Sequence, residues 1–164
     1  IDISRAATGY QLHVEDIDLP AYVEQLQRQI GALCQTKKIG LQMEIEHLPA
    51  VLSADKLLLE RAIMNVVNNA LDYSQQDSSI SISITGGKGN LQILVTDAGP
   101  GFSQEDLLHA EEQFYMADHS RSSNLHFGMG LFITKSIVQQ HGGQLILSNS
   151  EKTGGAQVTM KIPD

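Results

Sequence analysis

"ERAIMNVVNNALDYSQQDSSISISITGGKGNLQILVTDAGPG", Glu60 to Gly101, changes its periodicity within one short span. Up to Tyr73 the apolar residues return at helical intervals; in "SISISIT" and "LQILVTD" they alternate with polar ones, as in strands with one buried face. "GGKGN" between the two strands is a glycine-rich hairpin turn. A helix feeding an antiparallel hairpin points to an α/β fold. The helical part contains three asparagines, Asn65, Asn68 and Asn69. Each costs up to about 0.7 kcal/mol relative to alanine, because its amide competes with the backbone.

Working outward, "SADKLLLERAIMNVVNNALDYS" makes one long helix with Ser53 as the expected N-cap. Before it, Tyr22, Val23, Leu26, Ile30, Leu33 and Cys34 define an amphipathic helix from Leu19, and "IGLQMEIE" alternates as a strand up to the turn at Leu48-Pro49. Beyond the hairpin, Gly99 to Phe127 has weak periodicity and reads as a mobile connection with a short helix at Gln104 to Ala110. "GLFITKSIVQQH" resumes helical spacing and stops at Gly142-Gly143. "QLILSNS" and "AQVTMKIP" form two closing strands around Gly154-Gly155. The predicted order is helix, strand, helix, two strands, loop, helix, two strands. Such an order folds as a two-layer α/β sandwich, a mixed, mainly antiparallel sheet covered on one face by helices.

A chain of 164 residues, 41% hydrophobic, supports one domain with a substantial core. We expect that domain over 11–164, with 1–10 as the tail of a preceding helical hairpin or linker. The net charge of −8 argues against nucleic acid or an anionic membrane as partner, since both attract basic surfaces. Cys34 is the single cysteine, so internal disulfides and cysteine-based zinc sites are excluded. No apolar run reaches the roughly 18 residues of a bilayer span, and a cytoplasmic setting is expected. The opening Ile1-Asp2, without an initiator methionine, has the look of a piece of a longer protein.

Three places could carry chemistry. On a helix Asn65 and Asn69 point about 40° apart, one turn removed, with Asp72 on the same side and the apolar arc of Leu59, Ile63, Val66, Ala70 and Tyr73 round the circumference. A solvated face would have the same periodicity, though Glu, Lys, Gln or Arg serve that purpose at lower helical cost. "VTDAGPGFS" ends a strand with Asp97, Gly99 and Gly101: an acid in a fixed direction and a backbone that can approach a ligand. A tight turn explains that motif equally well. "HFGMGLFIT" sets Gly128 and Gly130 before a helix, where free N–H groups favour an anion. It is not a Walker loop, because no Gly-Lys-Ser/Thr follows.

Taken together and in order, these motifs resemble the nucleotide-binding module shared by sensor histidine kinases, gyrase-type topoisomerases, mismatch-repair ATPases and heat-shock chaperones. Among these the histidine kinases are most similar: "NVVNNALDYS" resembles their N box, "VTDAGPGFS" their G1 box, "EQFYMADHSR" their F box, "GMGLFITKSIVQQHGG" their G2 box and "GGAQVTMKIP" their last glycine turn and closing strand. The resemblance runs from Leu19 to Pro163 and implies the Bergerat-type sandwich with a mobile ATP lid.

It further implies ATP and Mg2+ as cofactors. Asn69 would coordinate the magnesium ion with Asn65 beside it, a role a neutral amide oxygen can fill. Asp97 would accept from the adenine amino group, with Gly99, Gly101 and Phe102 shaping the passage and Tyr73 near the base. Phe114 and Tyr115 would anchor the lid, and Gly128, Gly130, Leu131 and Arg121 would meet the phosphates. In the ATPase branches a glutamate that activates water stands at the place of Asn65; an amide cannot act as that base. The γ-phosphate would instead pass to a histidine on a separate dimerisation hairpin of the same protein, and then to a response regulator. None of the six histidines here has the sequence context of that acceptor. His119, beside Arg121, stands in the lid, His141 in "QHGG" fits a structural place at a helix end, and no histidine pair has a metal-binding spacing.

The sequence departs from the family pattern at three places. Asp72 stands where lysine is frequent, Met116 where arginine is, and Leu125-His126 where a glycine pair is. An acid beside a polyphosphate is unhelpful unless it faces away or acts through a cation. The expected protein is therefore the catalytic domain of a histidine kinase, monomeric by itself and the cytoplasmic part of a membrane-anchored sensor without membrane contact of its own. Two rivals share the pocket: a degenerate module acting through protein contacts, and a serine kinase of the anti-sigma type.

Overall fold

The computed structural model describes residues 11–87, 89–108 and 129–163. Residues 1–10 and the residues expected in the lid or at the phosphates, Phe114, Tyr115, Met116, His119, Arg121, Leu125, His126 and Gly128, lie outside the described residues. The elements are β1 (Glu15–Asp18), α1 (Leu19–Lys37), β2 (Gly40–Glu46), β3 (Val51–Ala54), α2 (Lys56–Tyr73), β4 (Ser79–Gly87), β5 (Asn90–Thr96), α3 (Gln104–Leu108), α4 (Met129–Gln140), β6 (Gln144–Asn149) and β7 (Ala156–Pro163).

Alternation along the strands decides the layers. Ile80, Ile82 and Ile84 of β4 are buried, as are Leu91, Ile93 and Val95 of β5 and Val158, Met160 and Ile162 of β7. Their register puts Ile82 opposite Val95 and Ile93 opposite Met160, so all of them line one face. The five strands run in the order β2-β4-β5-β7-β6. Only β2 and β4 pair in parallel; the other neighbours are antiparallel. The expected mixed, mainly antiparallel sheet is thus observed. Leu19, Leu26 and Ile30 of α1 and Leu58, Leu59 and Ala62 of α2 are among the buried residues that join it in one core. The opposite face carries polar residues such as Gln42, Ser81, Thr96 and Gln157, which line a groove of about 710 Å³.

Two strands went unforeseen. β1 and β3 have four residues each and pair antiparallel in a ribbon of their own, from Glu15 opposite Ala54 to Asp18 opposite Val51. This ribbon corrects the start of α2. Ser53 is not the N-cap: it lies in β3, where its Oγ donates to Asp16 Oδ1 at 3.0 Å. Asp55 caps the helix, its Oδ1 accepting from the Leu58 N–H at 3.1 Å. Asp55 is buried because three segments meet there. Its Oδ2 accepts from the His13 N–H at 2.9 Å, and its own N–H donates to His141 Nε2 at 3.0 Å. His141 sits just past α4 with Nδ1 2.9 Å from the Ile137 carbonyl. Donation from Nδ1 leaves Nε2 as the acceptor, so the neutral tautomer joins the end of α4 to the start of α2.

α1 begins at Asp18, whose Oδ1 accepts from the Ala21 N–H, and ends at Lys38 in the left-handed conformation. Its buried face is the expected one, Tyr22, Val23, Leu26, Ile30 and Cys34, with Leu33 partly buried. Among the described residues the buried Tyr22 hydroxyl has no hydrogen-bond partner. Burial, with the Glu60 carboxylate adding to it, pushes this phenol well above its usual value of 10.0. The unfolded chain releases the proton near the usual value and the folded chain does not, so stability falls as pH rises past about 10. Tyr22→Phe should therefore raise stability at neutral pH by about 1 kcal/mol, since an unpaired hydroxyl is removed without changing shape. In urea titrations from pH 7 to 11 the variant should also lose less stability at the alkaline end than the wild type.

Candidate functional site

α2 presents the asparagine stripe as the spacing demands. Leu58, Leu59, Ala62, Ile63, Val66, Val67, Ala70 and Leu71 are buried, Asn65 and Asn69 are half-buried and Asn68 is exposed. The Asn65 amide nitrogen donates to the Gly130 carbonyl at 3.4 Å, and Thr134 Oγ1 donates to the Ala62 carbonyl at 3.2 Å. A Cβ added at Gly130 would stand 3.6 Å from the Asn65 Cβ. The start of α4 is therefore packed on the asparagine face, and the first-turn N–H groups of α4 have no partner within the helix. Leu131 is buried in the core, so its side chain cannot line a pocket; its first-turn N–H is what it can offer a ligand. Asn69, one helical turn further along the same face, is half-buried and offers a neutral amide oxygen. That chemistry fits Mg2+, which takes oxygen ligands. No group of three His, Cys, Asp or Glu able to hold a metal occurs among the described residues.

Asp72 lies in the last turn of α2. It is exposed, and its Oδ1 lies 3.3 Å from Lys37 Nζ at the end of α1. The acid thus meets a cation on another helix.

The strand end at Asp97 is the most tightly determined part of the site. Its Oδ1 accepts from the Gly99 and Ala156 N–H groups, both at 2.9 Å, and its own N–H donates to the Ala156 carbonyl at 2.9 Å. One carboxylate oxygen is thereby fixed by two backbone donors while the residue is buried. The Ala98 N–H donates to Ser74 Oγ at 3.0 Å, which ties the loop to the end of α2. Tyr73 is half-buried at that junction. Burial raises its phenol above the usual value, with the Asp72 and Asp106 carboxylates adding to the effect. Gly101 has φ +86°, and Phe102 is buried in the core. Ser103 and Asp106 then close a capping box at the start of α3: the Ser103 N–H donates to Asp106 Oδ2 at 3.4 Å and the Asp106 N–H to Ser103 Oγ at 3.0 Å.

Among the described residues, then, Asn65 and Gly130 are brought together at one place. Tyr73, Asp97 and Gly99 meet at another, the end of α2. Residues that went unnoticed serve as supports: Ser74, Ala156, and Asn149 at the end of β6, whose amide holds the Phe102 backbone through two hydrogen bonds. The Ser-x-x-Asp spacing could have revealed the capping box, whereas nothing local marks Asn149. The 710 Å³ groove lies on the open side of the sheet and holds none of the expected site residues.

The profile of the histidine kinase-, DNA gyrase B- and HSP90-like ATPase family matches residues 54–164. The chain belongs to that family, and its branch is settled by its relatives. It is 36% identical over 163 residues to the sensor histidine kinase SpaK of Bacillus subtilis, covering 99% of this chain and 35% of SpaK. It is 32% identical over 154 residues to the sensor protein RstB of Escherichia coli, covering 93% of this chain and 34% of RstB. The catalytic domain of histidine kinase ThkA has the same fold, with a TM-score of 0.74 at 20% identity over 92% of this chain and 95% of that one. ThkA in complex with the response regulator protein TrrA matches at a TM-score of 0.73 and 18% identity, over 93% of this chain and 42% of that one. This chain is accordingly a histidine kinase catalytic domain of the ATP-binding kind, and it spans about a third of the length of the curated relatives it matches.

The junction of α2 with the Asp97 loop admits no added atom. A Cβ on Gly99 would stand 2.4 Å from the Tyr73 carbonyl oxygen, which is backbone and cannot rotate away. Gly99→Ala should cost about 1 to 3 kcal/mol in chemical denaturation, the range of an overpacked site. It should also weaken nucleotide binding, because Gly99 shares its N–H with Asp97.

Proposed function

We propose that the chain binds Mg-ATP between the asparagine face of α2, the Asp97 loop and the start of α4, and presents the γ-phosphate to a histidine on a separate hairpin. The observation that carries this reading is the double backbone anchoring of Asp97 Oδ1. A carboxylate so oriented is a directional acceptor for an exocyclic amino group such as that of adenine. Gly99, Gly101 and Phe102 would set the passage of the backbone beside the base, with Tyr73 at its edge.

When bound, magnesium would neutralise charge on the phosphates. Asn69 would hold it through its amide oxygen, with Asn65 kept in place by its bond to Gly130. Neither amide can take a proton from water, so hydrolysis is slow and the γ-phosphate is retained for the histidine. In the transfer the bond between the bridging oxygen and the γ-phosphorus breaks, a nitrogen–phosphorus bond forms, and ADP leaves. What the domain supplies is positioning and charge stabilisation. Gly128, Gly130 and the Leu131 N–H would meet the phosphates, Arg121 would add a cation, and Phe114 and Tyr115 would hold the lid. The full-length protein would pass the phosphoryl group to a response regulator, with this domain in the cytoplasm. The pairing of Asp72 with Lys37 supports kinase activity over a degenerate module, because the acid is directed to a cation on the protein.

Calorimetry with ATP and Mg2+ should show binding by this chain. Asp97→Asn should weaken it at least tenfold, about 1.4 kcal/mol, since an amide turned to keep the two backbone donors offers a second donor where an acceptor is required. Asn69→Ala should bring the affinity measured with Mg2+ down to that measured in EDTA. With γ-labelled ATP the full-length protein should gain acid-labile label and this chain alone none; acid-stable label on serine would overturn the histidine assignment.

A further inference from the structure

The Asp97 loop is held from three sides, and the third support stands outside every motif that marks the nucleotide site. Asn149, the last residue of β6, receives the Phe102 N–H on Oδ1 at 2.7 Å and donates from Nδ2 to the Phe102 carbonyl at 2.9 Å. One side chain thus satisfies both polar groups of one residue, in the way a neighbouring strand would. The fit leaves no slack. A Cβ on Gly101 would stand 2.9 Å from Asn149 Oδ1 and 2.3 Å from the Gly154 carbonyl oxygen, so the loop lies directly on the end of β6 and the turn that follows. At its other end the loop is fixed through Asp97 to Ala156 of β7, the strand paired with β6.

We infer that Asn149 is a positioning residue for base recognition, setting through the Phe102 backbone the orientation in which Asp97 meets the purine. This inference rests on the nucleotide-binding reading above. Between the two fixed ends lie only Ala98, Gly99, Pro100 and Gly101, and two of these are glycines with little stiffness of their own. With Phe102 released, Gly99 loses one of the restraints that aim its N–H at Asp97 Oδ1, and the bond of Ala98 to Ser74 is left to hold the loop by one side. The carboxylate then gains freedom in the direction that an amino donor must find. Adenine, which offers that donor, loses affinity; guanine has a carbonyl at the same ring position and has no such bond to lose.

The test compares the wild-type chain with Asn149→Ala and Asn149→Asp in titrations with Mg-ATP and Mg-GTP, alongside thermal unfolding without nucleotide. Asp matches Asn in shape, keeps the acceptor for the Phe102 N–H and sets an oxygen against the Phe102 carbonyl. It therefore reads the same bond even if the alanine variant fails to fold. The expected result is a preference for ATP over GTP reduced about tenfold in either variant, with GTP affinity little changed. A purely structural role would lower the unfolding temperature and weaken both nucleotides alike, leaving the preference intact, and that result overturns the inference. Absence of ATP binding by the wild type would instead overturn the nucleotide reading itself, and this inference with it.

Discussion

The hydrogen bonds from the Gly99 and Ala156 N–H groups to one oxygen of Asp97 are the constraint on which the rest of the site depends. A buried carboxylate is expensive to desolvate, and backbone donors offset that cost only at one orientation. The strand pair beneath it must therefore be exact in register. β5 pairs with β7 along its length, and the pairing ends with Thr96 opposite Gln157, one step before Asp97 donates its own N–H to the Ala156 carbonyl. The acid is an extension of the ladder into the loop. Gly155 belongs to the same arrangement, since a Cβ there would fall 1.9 Å from the Asp97 carbonyl oxygen. The closing turn and the Asp97 loop thus share one close approach of backbone to backbone.

Much of this was legible in the sequence because periodicity follows from burial. The Ile80, Ile82, Ile84 alternation and the buried row of α2 could have no other arrangement once one face was apolar. Asn65 and Asn69 stood out because residues that weaken a helix need a reason to be in it. What escaped was the part of the fold that has no period. β1 and β3 are too short for alternation to register, and their pairing brings together segments far apart in the chain. Ser53 resembles a cap in isolation and Asp55 resembles one equally; only the ribbon, which keeps Ser53 extended, decides between them.

Asn149 and His141 illustrate the same limit at single residues. Each acts on the backbone of a distant segment, Phe102 in one case and Asp55 in the other. Backbone partners leave no residue type to recognise at the far end, so no sequence pattern records the contact. Asp72 is the opposite case. Its identity was conspicuous, and its partner Lys37 could be found only once α1 and α2 were placed beside one another.

The parallel pairing of β2 with β4 has a mechanical meaning for the asparagines. Parallel neighbours need a crossover between them, and here that crossover contains α2. The helix that bears Asn65 and Asn69 is thus spliced between two adjacent strands of the same sheet, with the Asp55 cap at one end and the Ser74 bond to Ala98 at the other. A helix tethered in this way cannot ratchet by a turn past the sheet without breaking a cap or a strand. The separation between its asparagines and Asp97 is therefore set by the connectivity of the sheet itself.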